Sequence, residues 1–215
     1  MNIIKYLLLL LNTFACSHKV KNDNSFITFQ NNMDVLLTYN TALALYGKTY
    51  ADNLKKQGLL IEPDNPKEAY IDNVNLARIR LWTDQSKSIP YITSSPALDV
   101  VIDNSINKIT KATGLKFNKR TNERNYLNFV FSGNCGGVSY IGMIGGGQRI
   151  TMPTVGSCFH SLTIASGVTQ HEILHALGFS HQQSYPERDS YVRILTENIQ
   201  NNAIFNFQKR EPNII

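Results

Sequence analysis

Residues 171–181 read His171-Glu172-Ile173-Leu174-His175-Ala176-Leu177-Gly178-Phe179-Ser180-His181, and three of the chain's five histidines fall inside this stretch. On an α-helix, positions i and i+4 project from one face, so His171 and His175 can share a ligand. His181 follows six residues after His175 and cannot sit on the same straight face. Gly178 supplies the remedy, because a glycine in a left-handed cap lets the chain leave the helix sharply and swing back. An amphipathic helix that merely happened to carry two histidines would need neither the glycine nor the third histidine. The spacing predicts a single-ion metal site built on a helix and the turn that ends it.

Neutral imidazoles suit a borderline-soft ion such as zinc. Three protein ligands leave one position open for water and a substrate carbonyl, which is the arrangement of a catalytic site. Glu172, one residue past the first histidine, lies beside the metal rather than on it. Its carboxylate can there take a proton from the bound water, whose pKa zinc lowers from about 15.7 to about 7. The expected cofactor is therefore one Zn2+ per chain, held by His171, His175 and His181, with Glu172 as the catalytic general base.

Working outward from the metal stretch, the chain alternates strand and helix signals. A helix is expected from about Ser166 to Leu177. Upstream, Ile89–Thr93 reads as a strand, with Pro90 tolerated at its start or edge. Ser95 is an N-cap candidate with Pro96 at the first helical position, and Gly114 closes the helix that they open. Leu98, Val101, Ile102, Ile106 and Ile109 recur at helical spacing along it. Leu127, Phe129 and Phe131 alternate along the strand Tyr126–Phe131. Val138–Met143 and Gln148–Met152 complete the strands, separated by the turn at Gly145-Gly146-Gly147. The fold class that follows is α/β (α+β), a mixed twisted sheet with a zinc-binding helix packed on it.

The amino terminus reads differently. Residues 1–15, MNIIKYLLLLLNTFA, carry one lysine, an apolar run from Tyr6 to Leu11 and then small residues. That is the layout of a secretory signal peptide, and the run is too short to span a bilayer. Cys16 follows Thr13-Phe14-Ala15, a weak likeness of a lipoprotein cleavage box. Residues 1–16 are thus expected to be a signal peptide, with a lipid anchor at Cys16 as the alternative ending. The location that follows is extracellular or periplasmic, or the cell envelope if Cys16 is acylated. Setting Cys16 aside leaves Cys135 and Cys158, an even pair suited to an oxidising compartment. Residues 17–75 are polar and Asn-rich, with a helix expected over 35–50 and a short strand at 59–61. They read as a propeptide or N-terminal extension.

Composition bounds the rest. The chain has 215 residues, 42% hydrophobic and 17% charged, which supports one good core and excludes a disordered tail, a collagen-like fibre and a coiled coil. The net charge is +5, but the basic residues are dispersed and form no continuous basic helix, so nucleic acid is not an expected partner. No transmembrane helix is expected, and a monomer acting on a peptide or protein is.

With these residues in place, the stretch 171–181 resembles the metzincin clan of zinc endopeptidases, and its surroundings narrow the likeness to the astacin family. Phe179, followed by Arg188-Asp189-Ser190-Tyr191-Val192-Arg193-Ile194, matches that family's GFxH and downstream RDxYVxI. Leu81-Trp82 with Ile89-Pro90-Tyr91 is similar to the opening of its catalytic domain, and Arg120-Thr121 before Tyr126 and Ser139-Tyr140-Ile141-Gly142 fit as well. The likeness covers about residues 76–210, within a catalytic domain expected over 76–215. It implies zinc ligation by His171, His175 and His181 and general-base catalysis by Glu172. It implies substrate binding along Ser139, Tyr140, Ile141 and Gly142 as an edge strand, a wholly internal strand being the alternative. It also implies a disulfide between Cys135 and Cys158, closing a loop of about 23 residues worth about 3 kcal/mol, with two free thiols as the alternative.

The departures from the family pattern are specific. Gln182 stands where the family usually has a glutamate, and Tyr185 where it usually has an arginine. About six extra residues precede the zinc helix, and Gly114 stands where a further disulfide would begin. Leu45-Tyr46-Gly47-Lys48 has a lysine where an inhibitory aspartate would sit. The resemblance further implies that residues 76–215 form an N-terminal, metzincin-like subdomain, with the C-terminal subdomain and its methionine turn mostly absent from the 215 residues. Two functions follow: a secreted zinc-dependent endopeptidase whose zinc-bound water is activated by Glu172, or a weak or inactive zinc- and peptide-binding fragment.

Overall fold

The structure, a computed structural model, describes residues 35–36, 38–56, 58, 60, 79–82, 88–131, 136–152 and 162–210. Its centre is a four-stranded sheet. Strand β2 (Ser88–Thr93) lies between β3 (Lys116–Lys119) and β4 (Tyr126–Phe131), and β6 (Gly147–Met152) flanks β4, giving the order β3-β2-β4-β6. Every pairing within that sheet is parallel. The antiparallel contribution is a bridge between Val138 and Thr151, which leads into β5 (Ser139–Tyr140).

Helix α2 (Pro96–Thr113) crosses from β2 to β3 and shows why its sequence folds as it does. Ser95 Oγ accepts from the Ala97 N–H, Pro96 occupies the first turn, and the Gly114 N–H donates to the Thr110 carbonyl at 2.8 Å. Its buried stripe of Leu98, Val101, Ile102, Ile106 and Ile109 joins Leu127, Phe129, Ile150 and Met152 of the sheet in one core. Helix α3 (Leu162–Ala176), the zinc helix, adds Ile173 and Leu174 to that core, with Leu177 just beyond its end. Each such side chain contributes roughly 1.5–3 kcal/mol when fully buried. Behind the helix, Ser105 of α2 bonds to the carbonyl of Ser166 at 3.1 Å and to its hydroxyl at 3.0 Å, and Gln170 Nε2 donates to the same carbonyl at 2.8 Å. A buried polar seam therefore fixes α3 against α2.

Ahead of this domain, the described residues include a short strand and a helix. Strand β1 (Val35–Leu36) precedes helix α1 (Tyr39–Lys56), which is interrupted at Gly47. Ala42, Leu45, Ala51 and Leu54 form a second, small core whose other buried member is Ile141, just after β5. Lys48 pairs with Asp52 at 2.6 Å, and Asp52 also accepts from the Tyr39 hydroxyl.

Several boundaries differ from the sequence-based expectation. The expected strand 138–143 shortens to Ser139–Tyr140, because the chain turns through Gly142 with φ 74°. The zinc helix begins four residues earlier than expected, at Leu162. The helix expected over 35–50 begins at Tyr39 and runs to Lys56, with β1 ahead of it. Strand β3 was not expected at all. Residues 1–34, which include the expected signal peptide and Cys16, and residues 59 and 61 lie outside the described residues.

Candidate metal centre

The metal stretch behaves as its spacing predicts. Helix α3 ends in a paired capping arrangement: the Phe179 N–H donates to the Leu174 carbonyl and the Gly178 N–H to the His175 carbonyl. Gly178 sits at φ 106°, a conformation that favours glycine, and a Cβ there would also stand 2.7 Å from the terminal Cδ2 of Leu81. The reversal brings His181 back to the helix. His171 Nε2 lies 2.9 Å from His175 Nε2 and 3.4 Å from His181 Nε2. Two nitrogens bound tetrahedrally at about 2.05 Å to one zinc ion stand roughly 3.3 Å apart, so the observed spacing fits a shared ion. Their ligand atoms all lie within 4.8 Å of one another.

The ring orientations are set from outside. His175 Nδ1 meets the Phe179 carbonyl at 2.7 Å. A carbonyl only accepts, so that nitrogen carries the proton and Nε2 presents its lone pair to the ion. The carbonyl of Ala176, otherwise orphaned at the helix end, accepts from the Trp82 indole N–H at 3.0 Å. The segment after His181 is stitched to the tail of the chain. Arg188 donates to the carbonyls of Gln183 and Phe207, the Arg210 N–H donates to the Ser184 carbonyl, and Lys209 pairs with Asp189. Tyr185 receives a cation after all: the Arg210 guanidinium lies 3.6 Å from its ring centroid.

The other expected site residues fall nearby. Glu172 is almost wholly buried, at 1% exposure. Ser139, Tyr140, Ile141 and Gly142 are also buried, and the Gly142 N–H donates to the His175 carbonyl at 2.8 Å, tying the strand directly to the zinc helix. Gln148 holds the turn that follows, donating to the Gly142 carbonyl and accepting from the Ile144 N–H. The outer side of β5 is paired in parallel with β1, Val35 opposite Ser139 and Leu36 opposite Tyr140. Cys135 and Cys158 lie outside the described residues. Gly137, which no sequence motif singled out, packs against the Glu172 side chain. A glycine's role by contact carries no local signal.

A zinc helix crossing a parallel sheet, a glycine-hinged third histidine and a neighbouring buried glutamate define a metzincin-type zinc centre. Residues 75–215 match the peptidase family Astacin, and the chain belongs to that family. It is 32% identical to high choriolytic enzyme 1 of Oryzias latipes over 179 residues, covering 80% of this chain and 62% of that protein. It is 29% identical to zinc metalloproteinase nas-12 of Caenorhabditis elegans over 167 residues, 74% of this chain and 41% of the other. The solved structure of high choriolytic enzyme 1, a hatching-enzyme zinc protease, superposes with a TM-score of 0.52, covering 67% of this chain and 70% of that one. The chain thus spans less than two thirds of the length of these curated relatives. The cofactor is zinc, and His171, His175 and His181 are the triad able to hold it.

Proposed function

We propose that the chain is an exported zinc-dependent endopeptidase. The observation that carries this is the convergence of three imidazole nitrogens, with the buried Glu172 one residue after the first of those histidines. When bound, zinc makes hydroxide available near neutral pH and polarises the scissile carbonyl. Glu172 accepts the proton of the attacking water and passes it to the leaving amine. Its burial keeps competing water away and fixes its approach. Ser139, Tyr140, Ile141 and Gly142 align an extended substrate by strand addition, their backbone held against the zinc helix by the Gly142–His175 bond.

Residues 17–75 act as a covering propeptide. Support comes from β1, which takes the pairing edge of β5 that a substrate needs, and from Ile141, whose burial α1 completes. Lys48 faces Asp52, and so this cover works by occupying the strand edge. Residues 1–16 direct export, and Cys135 and Cys158 form a disulfide once outside the cell. Among the described residues no helix is long and apolar enough to cross a membrane. The test is hydrolysis of an unstructured peptide before and after removal of the extension, with zinc stripped by a chelator and then restored. Activity that follows zinc and rises on removal supports the proposal. Zinc-loaded, processed protein without hydrolysis would favour a binding fragment instead.

A further inference from the structure

Gly137 precedes the Val138 bridge and is buried. Unlike Gly142 and Gly178 it is not among the glycines with positive φ, so its backbone would accept any L-residue. Space excludes one instead. A Cβ at position 137 would stand 2.5 Å from both Cγ and Oε1 of Glu172 and 2.7 Å from its Cδ, and these are the three nearest atoms. The neighbouring Gly136 is exposed, and a Cβ there would meet nothing within 4 Å. The glycine pair therefore divides into one position that needs glycine for contact and one that does not.

We propose that Gly137 is a positioning residue for Glu172: the missing side chain is the seat against which the carboxylate rests. The inference deepens the reading of Glu172 as the general base and rests on it. A methyl group at 137 meets Cγ, Cδ and Oε1 of one side chain rather than backbone, so the fold absorbs it by rotating that side chain and displacing the carboxylate. Glu172 is buried at 1% exposure, and its helix is held by Trp82, by Ser105 and by the Gly142 N–H. The displacement therefore goes into the carboxylate's own torsions. Misplacing a catalytic group by about 1 Å costs on the order of a hundredfold in rate. None of the three nearest atoms belongs to a histidine, so zinc binding should survive the substitution.

The experiment compares Gly137→Ala, Gly136→Ala and Glu172→Gln in the full chain with its extension removed after folding; the main core lies wholly within residues 82–177. Gly137→Ala should keep wild-type zinc content and melting temperature, lower kcat about a hundredfold, and leave KM within about twofold. Crystals of the zinc-loaded variant should show the Glu172 carboxylate displaced by about 1 Å. Gly136→Ala should match wild type throughout. In the Glu172→Gln background, where no hydrolysis is expected, Gly137→Ala should leave zinc content and melting temperature at the values of Glu172→Gln alone. A raised KM, lost zinc, failure to fold, or an unmoved carboxylate with unchanged kcat would each overturn the positioning role. Hydrolysis surviving in Glu172→Gln alone would instead overturn the general-base reading, an outcome distinguishable from the first.

Discussion

At the scale of single residues, the metal site depends on backbone details. Gly178 is one of them, combining φ 106° with a near contact to Leu81. Gly178→Ala should cost about 1–3 kcal/mol in stability from the strained conformation alone. It should weaken zinc binding further by turning His181 away, and chelator competition reads that second effect. Trp82→Phe keeps the buried ring but leaves the Ala176 carbonyl without its donor. It should destabilise the fold by about 1–3 kcal/mol, checked by urea denaturation. Unchanged midpoints would show that water replaces the indole there. The histidine spacing and Gly178 were readable because they are local in sequence. Gly137 was not, since it acts on Glu172, a partner that only the folded chain brings near.

At the scale of elements, legibility tracked how much of each signal was local. Helix α2 announced itself through Ser95, Pro96 and Gly114, and its ends fall where those residues put them. Helix α3 is buried on nearly every side from Ala165 onward, so it lacks an apolar stripe and its start was read late. Strand β3 has two lysines at its ends and half-exposed residues between them; only pairing with β2 makes it a strand. After it, Glu123 organises the turn into β4. The Thr121 backbone N–H is the main hydrogen-bond donor that holds its carboxyl down to about 2, aided by Asn118. A folded-state pKa below the unfolded value stabilises fully above about pH 4.5 and is lost as pH falls toward 2. Glu123→Gln should therefore flatten the fall of melting temperature across that window. Equal acid slopes in the two proteins would contradict the turn's dependence on the ionised form.

At the scale of the whole molecule, the two cores set the behaviour. The larger spans the sheet, α2 and α3, while the smaller joins the extension to Ile141. Ile173→Ala, at the centre of the first, should cost about 2–5 kcal/mol. Leu45→Ala, in the second, should loosen the extension while leaving the main unfolding transition in place, so that limited proteolysis removes residues 17–75 faster. Protection that is the same in both proteins would show that the small core does not hold the extension. The role of β1 was not legible because its strand is two residues long and its partner, Ser139–Tyr140, is distant in sequence. The clan, its zinc and its ligands were legible from eleven consecutive residues, and the family from the stretch Arg188–Ile194 that follows them. The central claim is that three histidines hold the ion while Glu172 performs the proton transfers. It is tested most directly by measuring zinc content and peptide hydrolysis together in Glu172→Gln and His175→Ala. The account predicts about one zinc per chain and no hydrolysis in the first, and neither zinc nor hydrolysis in the second. Zinc lost equally from both variants, or hydrolysis retained in Glu172→Gln, would contradict it.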